Sequence, residues 1–482
     1  MVSIVRKLFA NTSYLIISNF LSGLIMLIIT AFIARSLGAE MFGNFSYVIS
    51  FVFFFVILSN LGIDTILTRE LSKPGQDWSK LINTTFILKT VFSTVSIAFV
   101  IILASLLDFT PEMRLSLIFR SFVLLFMAYT QSFAAIYQAK LQLIFPAIAN
   151  TINKVFFLIF SLVVLFNNGS LPFLIGATSV SFFLEAAFLF FFLRDTIALD
   201  WVFDKRLAWR LLKESFPLAI STTFYMIYLR IDVLMLEWFK GAASVGYYTA
   251  AFQLAEGVNM IPGAFMTTVF PLLAKFRESD IHNYKLASGT SIKFLLLLIF
   301  PMILGVLLLS NKIIVLFFTE AYSTSAPAFS ILIFSTAFIF LSIALSKIIV
   351  VEEKTNLIAV VAFFGAALNF GLNFYFIPVY GIIGASITTV LTEAMITIIW
   401  IYHIYFKDRI IMLPSLLFFG KILLATLVMG LVVYFIPGNV IWAILLGVIV
   451  YSLMILGLRV FDQVEVALIN ELFPYFRKST EE

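Results

Sequence analysis

The stretch GAASVGYYT, Gly241–Thr249, decides the fold because the first half of the chain repeats its pattern in GAEMFGNFS, Gly38–Ser46. In both stretches Gly-Ala is followed after three residues by a second glycine, and then by an aromatic and a hydroxyl residue. The two copies are 203 residues apart (241 − 38). A second match relates residues 176–186, where GA precedes EA by seven residues, to residues 384–394, at an offset of 208 (384 − 176). Two matches in the same order predict an internal repeat.

The composition is that of an integral membrane protein. Of the 482 residues, 62% are hydrophobic and 12% are charged, and the mean hydropathy is +1.09, whereas soluble proteins carry about 25% charged residues. The absence of cysteine excludes disulfides, cysteine-ligated zinc and iron–sulfur clusters. Neither a zinc-protease nor a nucleotide-binding motif is present, so we expect a protein that is not an enzyme and needs no cofactor. The net charge of +5 fits a surface facing anionic lipid better than a nucleic-acid partner.

The apolar runs predict fourteen membrane-spanning helices, since a span needs about 20 apolar residues. The predicted spans are 8–34, 43–68, 80–107, 113–139, 143–166, 170–193, 214–237, 244–274, 288–310, 325–350, 356–377, 382–406, 413–436 and 439–461. The basic pair before the first span suits a signal peptide, but the run is too long and lacks a small-residue cleavage site.

Lysine and arginine positions predict the orientation, because cytoplasmic segments carry an excess of both residues. With the N-terminus in the cytoplasm, 21 basic residues lie in cytoplasmic segments and 4 in outer segments. The other six of the 31 lie inside spans. We therefore expect a multi-pass protein of the plasma membrane with both termini in the cytoplasm.

The repeat unit contains six spans, an even number, so both copies cross the membrane in the same direction. Parallel repeats of this kind form two bundles with the transport site between them. The predicted organisation is an N-lobe at 1–193, a cytoplasmic linker at 194–213, a C-lobe at 214–406, two extra helices at 407–461 and a cytoplasmic tail at 462–482. Each chain would have its own cavity, so we expect a functional monomer.

Charged residues inside the spans mark the candidate site. Arg230 and Asp232 lie in the apolar stretch IYLRIDVLMLEWF, Ile227–Phe239. Such a charge costs roughly 2.5–3.5 kcal/mol at the bilayer centre. Because a two-residue step on a helix turns roughly 200°, the two side chains must face different surroundings. The six bases inside spans are Lys89, Arg120, Lys154, Arg230, Lys293 and Lys421, and the five acids are Asp64, Glu185, Asp232, Glu256 and Glu393.

The six bases predict an anionic ligand, because lysine and arginine are the usual protein ligands of phosphate. We interpret them as candidates for binding a pyrophosphate or glycan. The acids, together with Arg69 after the second span, are candidates for ion coupling or gating, with H⁺ or Na⁺ as the coupling ion. A structural alternative stays open for Lys89, Lys293, Lys421 and Arg120, whose side chains could reach a membrane surface. Glu185 and Glu393 occupy matched repeat positions and could instead be partners of the lysines.

The stretch RIDVLMLEWFKGAASVGYYTAAFQL, Arg230–Leu254, resembles the polysaccharide, or O-antigen, flippases of the multidrug/oligosaccharidyl-lipid/polysaccharide (MOP) exporter superfamily. The family pattern is an Asp, a hydrophobic run, a Gly, and Val-Gly-Tyr-Tyr before an Ala. The matching residues are Asp232, Gly241, Val245, Gly246, Tyr247, Tyr248 and Ala251. In the first half, LGAEMFGNFSY (Leu37–Tyr47) and LGIDTILTREL (Leu61–Leu71) match, with Arg69 in place of the family's arginine.

The resemblance implies two six-helix bundles in a V shape plus two peripheral helices, an all-α membrane fold. It also implies transport of a polyprenyl-pyrophosphate-linked oligosaccharide from the inner to the outer leaflet by ion-coupled alternating access. The partners would be this lipid-linked oligosaccharide and the bilayer. In the family's cationic cavity Arg230 would face the pyrophosphate, and Asp232 would turn to a neighbouring helix.

Two related functions remain as alternatives. Lipid II flippases share the fold, but their characteristic arginines in the first span are missing here, since residues 11–34 contain no base. Multidrug exporters of the superfamily usually have twelve helices and an acidic cation site. A membrane glycosyltransferase would need a catalytic motif on a large outer loop. No predicted outer loop exceeds about fifteen residues, which is shorter than the roughly 20 residues of one membrane span.

Overall fold

The apolar runs fold into helices because a membrane leaves backbone groups no other partners. The computed structural model describes residues 2–194, 200, 202–408, 410–411, 414–436 and 438–461, and all regular structure in these ranges is helical. The helices are α1 (Val2–Phe53), α2 (Val56–Asn60), α3 (Ile63–Leu71), α4 (Trp78–Leu106), α5 (Pro111–Ser121), α6 (Val123–Ala139), α7 (Ile144–Phe166), α8 (Leu171–Leu193), α9 (Lys205–Lys240), α10 (Ala242–Val258), α11 (Met260–Ser279), α12 (Ile281–Phe318), α13 (Ala326–Val351), α14 (Thr355–Tyr380), α15 (Ile382–Ile401), α16 (Leu416–Phe435) and α17 (Val440–Gly457).

The all-α membrane fold is confirmed. Within the described ranges, thirteen helical stretches are long and apolar enough to cross a membrane. The first of them, Ile17–Asn60, covers 44 residues and contains a non-helical residue, Gly38, at φ 72° and ψ 174°. It therefore contains most of the first two predicted spans, 8–34 and 43–68, which brings the total to fourteen.

Two spans differ from simple helices. The second is interrupted after α2, where Leu61 (φ 47°) and Gly62 (φ 70°) adopt left-handed backbone conformations before α3 begins. The fourth consists of α5 and α6, which meet at Phe122. In addition, α9 begins at Lys205, so the last nine residues of the predicted linker (205–213) are helical.

The repeated glycines adopt the same backbone geometry in both copies. Gly241 has φ 79° and ψ 173°, close to the values of Gly38, and this region of backbone space is essentially limited to glycine. The repeats also contact each other reciprocally. The Ala242 carbonyl oxygen occupies the position of a Cβ on Gly43, and the Ala39 carbonyl oxygen occupies that of a Cβ on Gly246. We call this the reciprocal glycine contact.

The helices form two compact units, residues 1–249 and 250–482. In the first, Leu67, Ile136 and Leu189 of α3, α6 and α8 pack in the core together with Leu211 of α9. In the second, the core lies between α11, α12, α13 and α16. The division into lobes at 1–193 and 214–406 stays a prediction. The predicted tail at 462–482 lies outside the described residues.

Many helix faces outside these cores expose large apolar side chains. Val95, Phe99 and Ile102 on α4 and Leu427 and Leu431 on α16 are each about half exposed or more. Exposed apolar stripes of this extent would be unstable in water, so they fit contact with lipid acyl chains.

Gly43→Ala is expected to destabilise the protein by about 1–3 kcal/mol, the usual cost of overpacking, because the new Cβ meets the Ala242 backbone. Gly246→Ala should act in the same way against Ala39. The matched control is Gly371→Ala in α14, where no atom lies within 4 Å of the added Cβ. Chemical unfolding in detergent micelles would measure these effects, and equal stability of Gly43→Ala and Gly371→Ala would contradict the reciprocal contact.

Candidate functional site

Two of the predicted bases share one aromatic ring in the first unit. The guanidinium carbon of Arg120, at the end of α5, lies 5.9 Å from the centroid of Phe182 on α8. The ammonium of Lys154, on α7, lies 5.8 Å from the same centroid. Arg120 also donates a hydrogen bond of 2.7 Å from Nη1 to Thr178 Oγ1. Cation–π contacts hold both cations without neutralising them.

Arg230 on α9 completes this group, because it interacts electrostatically with Arg120. Lys154 in turn interacts with Arg120 and with the buried carboxylate of Glu185 on α8. We call Arg120, Lys154 and Arg230 the cationic cluster. The like charges of Arg120 and Arg230, and those of Arg120 and Lys154, interact unfavourably.

Asp232 turns away from the cluster, as its two-residue separation from Arg230 predicts. Its carboxylate is buried and accepts hydrogen bonds from the Tyr248 hydroxyl on α10 and from the Val233 backbone N–H at 2.8 Å. Arg230 still exerts an electrostatic influence on it. The helix therefore directs Arg230 towards Arg120 and Asp232 towards α10.

Apart from the cluster, Lys89 and Asp64 form an ion pair in which Lys89 is fully buried and Asp64 is 18% exposed. The Lys89 ammonium, fully buried on α4, donates to both carboxylate oxygens of Asp64 at 2.6 Å. It also donates to the Ala128 carbonyl oxygen at 3.1 Å, and Ser132 Oγ donates to Asp64 at 3.0 Å. Lys89 points into the protein interior and does not reach for a membrane surface.

Arg69, at the end of α3, joins α3 to α9 through an ion pair with Glu214. It also pairs with Glu70 at 3.0 Å. Hydrogen bonding to Glu214, and then to Glu70, raises the pKa of the Arg69 guanidinium. The ammonium of Lys73 lowers the pKa of the Glu70 carboxyl. These ion pairs fix one end of α3.

The remaining candidates lie in the second unit. The Lys293 ammonium lies 5.6 Å from the Phe418 ring centroid, and Lys421 donates to the Arg459 carbonyl oxygen at 2.9 Å. The Lys421 bond binds α16 to the end of α17. Glu393 is buried in α15, and Glu256 is partly buried in α10.

Three residues of the site were missed in the sequence, namely Phe182, Thr178 and Tyr248. Thr178, Phe182 and Glu185 are spaced i, i+4 and i+7, which places them on one face of α8. This spacing, which places Thr178 and Phe182 on the same helix face as the Glu185 carboxylate, is the sequence signal that could have identified them as site residues. Tyr248 lies within the matched family pattern but was not assigned a contact.

The family model "Polysaccharide biosynthesis protein" matches residues 8–277, more than half of the chain. The chain belongs to this family. The resemblance to the polysaccharide flippases of the MOP superfamily is thereby confirmed. A second family model, MatE, matches residues 217–375.

Two curated relatives cover parts of the chain. An uncharacterized membrane protein of Methanocaldococcus jannaschii is 25% identical over 213 residues, 44% of this chain and 41% of the relative. The probable low-salt glycan biosynthesis flippase Agl15 of Haloferax volcanii is 22% identical over 187 residues, 39% of this chain and 40% of the relative. The matched regions thus span about two fifths of these relatives.

A solved structure shares the fold over nearly the whole chain. It is the lipid II flippase MurJ in an inward closed conformation, with a TM-score of 0.76 and 18% sequence identity. The match covers 91% of this chain and 97% of that protein. The helical fold of that protein is therefore shared over 91% of this chain.

Tyr248→Phe is expected to destabilise the protein by about 1–3 kcal/mol, the cost of removing one of the two donors to a buried charged acceptor. The lost donor is the hydroxyl that binds the Asp232 carboxylate. Tyr434→Phe on α16 is the matched control, since that side chain is 71% exposed. Chemical unfolding in micelles measures both changes, and a Tyr248→Phe protein as stable as the control would contradict the assigned contact.

Proposed function

We propose that this protein moves a polyprenyl-pyrophosphate-linked oligosaccharide from the cytoplasmic to the outer leaflet of the plasma membrane. The observation that carries the proposal is the cationic cluster, in which α5, α7 and α9 bring Arg120, Lys154 and Arg230 together inside the membrane region. Membership of the polysaccharide biosynthesis family and the glycan flippase among the relatives support it.

The chemistry of the cluster suits a pyrophosphate. A pyrophosphate presents several anionic oxygens on two linked phosphorus atoms, so it can bind more than one cation at once. Arginine binds such oxygens as a planar fork, and lysine binds them as a point charge. Arg120 and Arg230 would supply forks, and Lys154 a point charge. Binding would relieve the repulsion between the three side chains.

Transport by alternating access needs an energy source, and we propose an H⁺ or Na⁺ gradient. Buried carboxylates are the groups that such ions bind in membrane proteins. The candidates are Asp64, Glu185, Asp232, Glu256 and Glu393, and Arg69 is a candidate for gating. We also propose that both termini lie in the cytoplasm, because basic residues are concentrated in the predicted cytoplasmic segments. The functional unit in this proposal is a monomer.

A second candidate function is lipid II transport, which the fold match with MurJ favours. Lipid II also carries a polyprenyl pyrophosphate, so the cationic cluster would suit it equally. Against it stands the first span, which has no base between residues 11 and 34. Export of cationic drugs, which the MatE match favours, would be opposed by three cations at the site.

Arg230→Ala is expected to abolish transport while leaving insertion and folding intact, because the cluster loses a phosphate ligand. Arg230→Lys should retain part of the activity if a point charge suffices, and little if a forked contact is required. Arg114→Ala is the matched control, an arginine on α5 outside the candidate site whose Nε donates to the Ala104 carbonyl oxygen at 3.0 Å. Full transport by Arg230→Ala would remove this residue from the substrate site.

The assay uses proteoliposomes that contain a labelled polyprenyl-pyrophosphate oligosaccharide. A membrane-impermeant glycan-modifying enzyme reports its exposure, with and without an H⁺ or Na⁺ gradient. Protein-dependent exposure of the oligosaccharide is the expected result. Exposure of lipid II but of no other lipid-linked glycan would favour the second candidate, and movement of neither would overturn both.

A further inference from the structure

The break between α2 and α3 places an ion pair at the end of a membrane span. The second span is interrupted at Leu61 and Gly62, both left-handed, and Asp64 lies in the first turn of the helix that follows. Interrupted helices at membrane depth are tolerated where protein or an ion-binding site satisfies the freed backbone groups. Here α6 bridges the interruption, because Gln131 accepts a hydrogen bond from Asn60 on one side and Ser132 donates to Asp64 on the other.

At this break, all three N–H donors of the Lys89 ammonium have acceptors. It has three N–H donors, and its three acceptors are the two carboxylate oxygens of Asp64 and the Ala128 carbonyl oxygen. A lysine ammonium is a compact monovalent cation on a flexible stem. Asp64 thus already holds a monovalent cation, tethered to α4.

The fold itself does not require this pair. Well-packed apolar residues are often as stable as a buried ion pair. The second repeat also lacks the pair: Lys293 lies 204 residues after Lys89 (293 − 89), within the repeat offset, but threonines stand at 267 and 268 where a carboxylate equivalent to Asp64 would fall. The repeat therefore keeps the lysine and loses the acid, so the acid has a role particular to the first unit.

The break also offers an unused oxygen ligand. The side-chain Oδ1 of Asn60, four residues before Asp64, is buried and has no hydrogen-bond partner among the described residues. Carboxylate, amide and hydroxyl oxygens, together with the carbonyl end of a half-helix, are the donors that bind H⁺ or Na⁺ in transporters. Asp64 and Ser132 supply a carboxylate and a hydroxyl oxygen that are hydrogen-bonded to each other, and Asn60 supplies an amide oxygen on the other side of the break.

We propose that Asp64 is a monovalent-cation site now occupied by the Lys89 ammonium, and that the coupling ion of transport, H⁺ or Na⁺, competes with that ammonium. In a medium of low dielectric constant, one carboxylate can neutralise the charge of one cation. The Lys89 ammonium must therefore leave the Asp64 carboxylate before another cation can bind there. This inference rests on the proposed function and names the coupling site within it.

Helix α3 connects this site with the cationic cluster. Asp64 binds at its start, and at its far end Arg69 pairs with Glu214 of α9, the helix that carries Arg230. Helices α4, α6 and α9 pack against α3 and place side chains next to it. Helix α4 contributes the charged Lys89, α9 contributes the charged Glu214, and α6 contributes neutral polar groups such as Ser132. Release of Asp64 by Lys89 would therefore free one end of a helix whose other end holds α9.

The first test requires no substrate and measures thermal stability of the purified full-length chain. In Lys89→Met the Asp64 carboxylate is left open, so Na⁺ (against choline at equal ionic strength) or a lower pH should raise the melting temperature. A response to Na⁺ at fixed pH identifies Na⁺, and a response to pH without Na⁺ identifies H⁺. The controls Asp64→Asn/Lys89→Met and Lys421→Met should show neither shift. A Lys89→Met protein that responds no more than the double variant would overturn the proposal.

The second test covers the case in which Lys89→Met does not fold. Asp64→Asn/Lys89→Met buries no charge at this place and should still insert. In the vesicle assay it should move the lipid-linked oligosaccharide but lose dependence on the ion gradient. Gradient-driven transport equal to that of the unchanged protein would overturn the coupling role. If no protein moves the oligosaccharide while Lys89→Met still responds to Na⁺ or H⁺, the proposed function fails and the cation site stands.

Discussion

The reciprocal glycine contact is the constraint on which the candidate site depends. Because Gly43 and Gly246 have no Cβ, each lets the backbone carbonyl of the other repeat approach it directly. This contact, with the packing of α1 against α9, places the first helix of the second repeat inside the first unit, which ends at residue 249. Arg230 is carried on that helix. Without the contact, the cationic cluster would lose the one member that the second repeat supplies.

The cluster is costly to maintain, and its geometry reflects that cost. Three cations lie near one another with Glu185 as the acid beside Lys154. The Phe182 ring accepts Arg120 and Lys154 on its face, which attracts cations without removing their charge. Elsewhere in the same unit a buried base is paired directly with an acid, as Lys89 is with Asp64. Arg120 and Lys154 instead contact an aromatic ring, which is the arrangement that we propose for a ligand-binding site.

The sequence predicts the helices and the repeat better than it predicts the site. Hydropathy and paired glycine motifs are local signals, so the fourteen spans and the equivalence of Gly38 with Gly241 could be read directly. The interruption at Leu61 could not, since an average over about 20 residues, the length of a span, does not register two left-handed residues. The partners of Lys89 could not be predicted from the sequence either. Whether the side chain extends to a membrane surface or pairs with a carboxylate 25 residues away depends on how the helices pack.

The interruption at Leu61 and Gly62 lies against the part of α9 that contains a proline, Pro217. A Cβ on Gly62 would come within 3.3–3.4 Å of atoms of residues 215, 218 and 219 on α9, and these residues flank Pro217. Proline removes the hydrogen bond to the carbonyl four residues earlier, so α9 is easiest to bend at this level. A movement of α3 away from Lys89 would therefore act on α9 near Pro217, where this helix bends most easily. The helix segment beyond that point carries Arg230, so the proposed change at the Asp64 carboxylate would be transmitted to the side chain that we propose binds phosphate, without breaking the reciprocal glycine contact.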